Sequence, residues 1–157
     1  MMPRSSSREN WIGLLSFGFF IMLFALFFVI VPDYGNKVLD FFKSFQLEEI
    51  LNNIRILPYP TGSHPEIYQA AMQFCLVFGL FQFFVLALRC YVKSSITKIS
   101  ETISNIVLWL GASYVFNLLL TEGTSWWVNF IGGIIAVLGF SLIARSLIIL
   151  MFWRRKP

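Results

Sequence analysis

The sequence predicts an all-α fold: a four-helix transmembrane bundle with an extracytoplasmic amphipathic helical insert between helices 1 and 2. Of its 157 residues, 57% are hydrophobic and 13% are charged, against about 25% charged in ordinary soluble chains. Four apolar runs are long enough to cross a hydrocarbon core of about 30 Å. A soluble domain could not bury that much apolar surface, so one membrane domain covers residues 1–157.

The first predicted span covers residues 11–31, which carry no charge and would extend for about 31 Å as a helix. Arg4 and Arg8 also give it the basic start of a signal peptide. However, the run exceeds the usual apolar region of a signal peptide, about 7 to 15 residues, and no Ala-x-Ala pattern follows it. We therefore expect an uncleaved spanning helix.

The predicted insert covers residues 33–65. Its apolar residues fall on two nearly opposite helical arcs, and the phase breaks at residues 44–46. Two short helices or one kinked helix at the membrane surface would explain this break. Residues 58–65 contain three prolines and predict an extended or turning connector.

The remaining predicted spans cover residues 67–88, 102–121 and 126–153. Glu66 lies near the start of the second span and Arg89 near its end, as the helix dipole favours. The fourth span is interrupted only by Arg145.

The distribution of charge predicts a multi-pass protein of the cell membrane with both termini in the cytoplasm. In this orientation, only three cations lie outside: Lys37, Lys43 and Arg55. Eight lie inside and Arg145 lies at the inner edge, in agreement with the positive-inside rule. The expected partners are the lipid bilayer and anionic lipid head groups on the cytoplasmic side. The net charge of +4 does not indicate nucleic acid binding, because the cations lie in short clusters beside apolar runs.

Intramembrane amides are the first candidate site. Gln69, Gln73, Asn117 and Asn129 are predicted within about two turns of the outer face and could line a polar cavity. The alternative is hydrogen bonding between helices, which is common for such residues. No Asp, Glu or Lys occurs inside a predicted span, which argues against a proton-coupled transporter.

Two further features lie on the fourth span. Gly132, Ala136 and Gly139 share one helical arc with Asn129 and predict a helix-packing seam, either within the monomer or between copies. Arg145 is an intramembrane charge and hence a candidate functional residue. It lies about 28 Å from Trp126, so its alternative role is an anchor that reaches the inner head groups.

The sequence indicates no catalytic residue, metal site or cofactor. His64 is the only histidine, and it has no neighbouring histidine or cysteine with which to complete a zinc site. Cys75 and Cys90 lie about 22 Å apart on one predicted helix. Glycine-rich phosphate loops and serine nucleophile motifs are absent from the sequence.

Three segments carry a resemblance: Ala70-Ala71-Met72-Gln73-Phe74, Leu86-Ala87-Leu88-Arg89 and Trp109-Leu110-Gly111-Ala112-Ser113. With the order of spans and insert, they resemble small four-span membrane proteins of archaeal type. The resemblance covers most of the chain and implies no known activity.

We expect a non-enzymatic membrane protein, an accessory or scaffold subunit whose outer segment docks a membrane-protein partner or covers the bundle. The alternative is a small oligomeric channel or transporter lined by the intramembrane amides.

Overall fold

The computed structural model describes residues 5–51 and 54–153, and the side chains of residues 10–45, 60–123 and 125–152. The helices are α1 (Ser5–Ile30), α2 (Tyr34–Lys43), α3 (Pro65–Tyr91), α4 (Ile96–Glu122) and α5 (Trp127–Trp153). Strands β1 (Phe45–Leu51) and β2 (Ile54–Pro60) lie between α2 and α3, and a 3-10 turn (Thr124–Trp126) joins α4 to α5.

Four helical segments are long and apolar enough to cross a membrane: Asn10–Ile30, Pro65–Tyr91, Ile96–Glu122 and Trp127–Phe152. They contain the predicted apolar runs almost completely. The third begins at Ile96, six residues before the predicted start, because its polar first turns are also helical. Lys98 and Glu101 form an ion pair there, with Nζ and Oε2 3.3 Å apart. A helix of 27 residues is about 40 Å long, so its polar ends extend past the hydrocarbon core.

The long helices pack mainly on their neighbours in sequence. α4 lies between α3 and α5 and contacts both extensively, whereas α1 packs on α3. Short connectors make α3, α4 and α5 successively antiparallel. Gly123 ends α4 with a φ of 76°, a left-handed conformation that glycine adopts without steric cost.

The two ends of the bundle differ. At the connector end, α3 is joined to α4 through residues 92–95, and α1 starts nearby. At the hairpin end, α2 and the two strands follow α1, and α3 begins at Pro65.

The predicted insert is helical only in its first part. α2 lies there, but residues 45–51 and 54–60 pair as an antiparallel hairpin in place of a second short helix or the continuation of a kinked one. The register pairs Phe45 with Pro60 and Leu51 with Ile54. Isoleucine and an alternation of apolar and polar side chains favour strands. In a two-stranded sheet both strands are edge strands, where prolines such as Pro58 and Pro60 are tolerated. The predicted extended connector is confirmed as the end of β2 and the bend that follows it.

An aromatic cluster holds residues 34–60, the predicted outer segment, on the hairpin end of the bundle. The ring of Phe41 lies 5.4 Å from that of His64, 6.0 Å from that of Tyr68 and 6.4 Å from that of Trp127, centroid to centroid. Phe41 and Phe45 thus extend the buried core that Tyr68 and Trp127 form with residues of α4 and α5. Lys37 of α2 also forms an ion pair with Glu66 of α3.

Candidate functional site

Glycines fix how α3, α4 and α5 are rotated against each other. A Cβ at Gly79 would lie 2.8 Å from Leu110 Cδ2, and a Cβ at Gly111 would lie 2.7 Å from Val137 Cγ1. On α5, a Cβ at Gly133 would lie 3.0 Å from Cγ1 of Val115. The backbones approach this closely only because these side chains are absent.

Serine hydroxyls add hydrogen bonds across the same contacts. Ser113 Oγ of α4 donates to the carbonyl of Met72 on α3 at 3.0 Å. Ser104 Oγ donates to the carbonyl of Ser141 on α5 at 2.7 Å. Both serines are buried, so these bonds form away from competing water and lock the rotation that the glycines allow.

α1 covers one face of α3. Phe19 stacks on Phe81 with ring centroids 3.8 Å apart, and Phe20 meets Phe78 edge to face at 5.3 Å. Phe20 also lies 6.1 Å from Trp109 of α4. α1 therefore lies on the side of α3 and α4 to which these rings project.

The predicted amides lie on the opposite side, and all four are exposed in the monomer. Measured as rotation about the axis of α3, Gln69 and Gln73 lie about 80° and 120° from Gly79. Phe74 and Phe78, which contact α1, lie about 140° and 100° from Gly79 in the other sense. The two glutamines thus point away from α1.

The same holds for α4 and α5. On α4, Tyr114, Asn117 and Thr121 form one exposed stripe, centred roughly 110° from Trp109. On α5, the exposed stripe that contains Asn129 lies roughly opposite Trp127, the residue that contacts the outer segment. We call this uncovered surface the amide face; it is defined by Gln69, Gln73, Asn117 and Asn129.

The amide face is confined to the half of the bundle nearer the hairpin. The Ser113–Met72 hydrogen bond and the Val115–Gly133 contact set the relative heights of the three helices. From these heights, the four amides lie within about 11 Å along the helix axes. Gln73 is the deepest, about 15 Å from the end of α4.

Tyr114 belongs to this surface and was missed by sequence reasoning. Its side chain is 63% exposed, and it lies one turn deeper than Asn117. Tyr114 lies three residues before Asn117, a spacing that places both on one face of a helix. This spacing was the signal in the sequence that could have identified Tyr114. The surface therefore offers amide donors and acceptors and a phenol hydroxyl on the half of the apolar helices nearer the hairpin.

The structure does not bring the predicted amides together around a cavity. Among the described residues they line an open surface, whereas Ser104, Ser113 and Gln82 form hydrogen bonds between the long helices. Gln82 Nε2 donates to Ser16 Oγ of α1 at 3.3 Å.

The predicted seam does not pack within the monomer. Gly132 and Gly139 have no heavy atom within 4 Å of a Cβ built on them, and Ala136 is exposed. Instead, α5 approaches α4 closely at Gly133, the residue that follows Gly132 in the sequence. The seam borders the amide face on α5, so its role between copies or toward a partner stays a prediction.

Arg145 is half-buried on α5, four residues beyond Ser141. Within the part of the chain that the structure describes, no carboxylate lies within ion-pair distance of it. Its depth and partial exposure fit the anchor role, and neither role is tested by the fold.

A shallow cleft of about 260 Å³ opens at the hairpin end beside His64 and the Lys37–Glu66 ion pair. His64 Nε2 lies 3.1 Å from Ser44 Oγ, and the Thr61 hydroxyl donates to the Ser44 carbonyl at 2.9 Å. These contacts join the end of β2 to the end of α2. No three His, Cys, Asp or Glu side chains among the described residues could hold a metal ion.

Four long apolar helices with largely exposed apolar side chains define a multi-pass membrane protein. Comparison with models of known protein families, with curated proteins and with solved structures finds no match.

Proposed function

We propose that this chain is a non-enzymatic accessory or scaffold subunit of the cell membrane, and that the amide face binds a transmembrane helix of a partner protein. In this proposal the termini and the connector end are cytoplasmic and the outer segment is extracytoplasmic. The orientation is supported by the positive-inside distribution of charge.

A single observation carries the proposal: Gln73 is exposed about 15 Å from the end of α4, on the same face as Asn117 and Tyr114. At that distance along a membrane-spanning helix, Gln73 would lie at the depth of the hydrocarbon. Lipid tails offer no hydrogen-bond partner, so polar groups at this depth usually face protein or a water-filled cavity. A partner helix with amide or hydroxyl groups would satisfy them. Hydrogen bonds between membrane helices contribute about 0.6 kcal/mol each, so several together with close packing are needed.

The neighbouring surface suits such a helix. Gly132 and Ala136 border the amide face and have little side chain, which allows a second backbone to approach closely. The hairpin adds a further contact site outside the membrane, since a two-stranded sheet leaves both outer strand edges unpaired and able to accept a strand. Apart from Phe45 and the buried Pro60, few hairpin residues lie near any helix, so most of these edges lie away from the bundle.

The test is the mass of the complex, measured in a detergent that preserves assemblies. We expect the wild-type chain to elute in one defined complex with a partner. Because Gln73→Leu and Asn117→Leu remove the hydrogen-bonding groups from exposed positions, they should release a folded monomer. Ile21→Ala, an exposed position on α1, is the matched control and should retain the complex.

Three results would contradict the proposal. A monomeric wild-type chain, a complex unchanged by the two leucine variants, or an equal loss with Ile21→Ala would each exclude the amide face as the binding surface. A complex made only of copies of this chain would replace the accessory role by homo-oligomerisation.

The second candidate is an oligomeric channel or transporter lined by the amides. It is favoured by the same common face, which several copies could turn toward a shared pore. A flux assay in proteoliposomes separates the candidates. Selective flux that Gln73→Leu and Asn117→Leu abolish would support the channel and contradict the scaffold role.

A further inference from the structure

A cavity of about 560 Å³ opens at the connector end, between residues 10–17 of α1 and the junction of α3 with α4. It lies far from the amide face, at the other end of the bundle. Arg89, Ser94 and Lys98 form its polar wall, and Leu14 and Phe17 of α1 form an apolar wall.

Two cations stand at the polar wall. The Arg89 guanidinium donates a hydrogen bond to the carbonyl of Lys98, which joins the last turn of α3 to the first turn of α4. Lys98 Nζ lies 3.3 Å from a carboxylate oxygen of Glu101, in a pair that is about half exposed. The N-terminus of α4, at Ile96, adds the positive end of a helix dipole to this region.

Ser94 supplies an independent sign of a missing partner. It lines the cavity with only 9% of its surface exposed, and its hydroxyl has no hydrogen-bond partner among the described residues. Buried hydroxyls are nearly always bonded. A ligand with an acceptor beside Ser94 would give this hydroxyl a partner.

The apolar wall indicates what kind of anion fits. Leu14 is 70% exposed and Phe17 is 62% exposed. They lie four and seven residues beyond Asn10 on α1, so the wall continues for about 10 Å along the helix toward the hydrocarbon core. A soluble anion would use only the cationic rim, whereas an amphiphile would contact both walls.

We propose that this cavity is a binding site for one anionic phospholipid. The phosphate lies between Arg89 and Lys98, Ser94 donates a hydrogen bond to a phosphate oxygen, and one acyl chain lies on Leu14 and Phe17. The lipid then bridges α1 to the α3–α4 junction at the end where Ile12 of α1 is buried.

The test measures binding to the full-length chain in detergent by native mass spectrometry, with phosphatidylglycerol, phosphatidylcholine and glycerol 3-phosphate as the three probes. We expect one phosphatidylglycerol to bind more tightly than phosphatidylcholine, and glycerol 3-phosphate not to bind. A cation near an anionic surface contributes enough to change affinity about fivefold, so Lys98→Gln should weaken phosphatidylglycerol binding by about that factor. Phe17→Ala should weaken it as well, because the acyl chain loses its contact.

Lys93→Asn is the matched control. It removes one cation from the same end, at a residue that does not line the cavity and whose φ of 55° asparagine tolerates. We expect phosphatidylglycerol binding to be unchanged in this variant. Equal binding of both lipids to the wild type, or equal losses in Lys98→Gln and Lys93→Asn, would overturn the site. Binding of glycerol 3-phosphate with the affinity of the lipid would overturn the lipid as its occupant.

Discussion

Gly111 is the residue at which the packing of α4 against α5 leaves least room. A Cβ there would lie 2.7 Å and 3.0 Å from the two methyl carbons of Val137. Valine is stiff about its first side-chain bond, so it cannot turn aside at low cost, and the helices would have to separate.

We therefore predict that Gly111→Ala destabilises the bundle by about 1–3 kcal/mol, the usual range for an overpacked core. Thermal unfolding in detergent measures this. Gly132→Ala is the control, because nothing lies within 4 Å of its added Cβ, and its midpoint should match the wild type. Equal midpoints for both variants would show that the contact is looser than described.

Ser113 gives a second prediction for single residues. Its hydroxyl bonds the Met72 carbonyl across the α3–α4 contact, so Ser113→Ala should lower stability by about 0.6 kcal/mol, typical of such bonds in membranes. Thr121→Ala is a comparison within one helix, since the Thr121 hydroxyl bonds carbonyls of its own helix. A larger loss in Thr121→Ala would contradict the assignment of Ser113 as an interhelical contact.

At the scale of elements, Phe41 determines whether the outer segment stays on the bundle. Its ring meets those of His64, Tyr68 and Trp127, and aromatic pairs contribute about 0.5–1.5 kcal/mol each. The exposed Lys37–Glu66 ion pair contributes less than such packing.

We predict that Phe41→Ala speeds hydrogen exchange in α2 about tenfold or more and leaves the cores of α3 and α4 unchanged. The reason is that loss of the ring contacts lowers the cost of opening this segment alone. Leu39→Ala serves as the control, because Leu39 is 54% exposed. Equal exchange in both variants would mean that the segment is held by other contacts.

The long helices could be predicted from sequence because a single physical demand decides them: a chain of about 20 apolar residues in lipid must satisfy its backbone internally. The hairpin could not be predicted, because apolar residues such as Leu47 and Ile50 also fit a short helix, and periodicity alone does not separate a short helix from a strand. The predicted seam does not pack within the monomer, for a related reason. Gly132 and Gly133 are adjacent, and only the rotation of α5 against α4 decides which one lies at the contact.

The residues of the candidate site could be predicted from the sequence, but their arrangement on an open surface could not. Intramembrane amides stand out in any apolar run, so Gln73 and Asn117 could be found. Whether they meet across a cavity or share an open surface depends on which side α1 covers, and the aromatic contacts of Phe19 and Phe20 decide that.

At the scale of the whole molecule, the two ends carry different chemistry. The connector end holds Arg89, Lys93 and Lys98. Six of the eight acids lie at the hairpin end: Asp33, Asp40, Glu48, Glu49, Glu66 and Glu122. The proposed topology places these two ends on opposite sides of a bilayer, with the connector end in the cytoplasm.

The most direct measurement is labelling of single cysteines by a reagent that cannot cross the membrane, in intact cells. Ser63→Cys reports on the hairpin end and Thr97→Cys on the connector end; both positions are exposed, and Cys90→Ser removes the exposed native thiol. We predict that Ser63→Cys is labelled in intact cells and Thr97→Cys only after permeabilisation. The reverse pattern, or labelling of both positions in intact cells, would contradict the account.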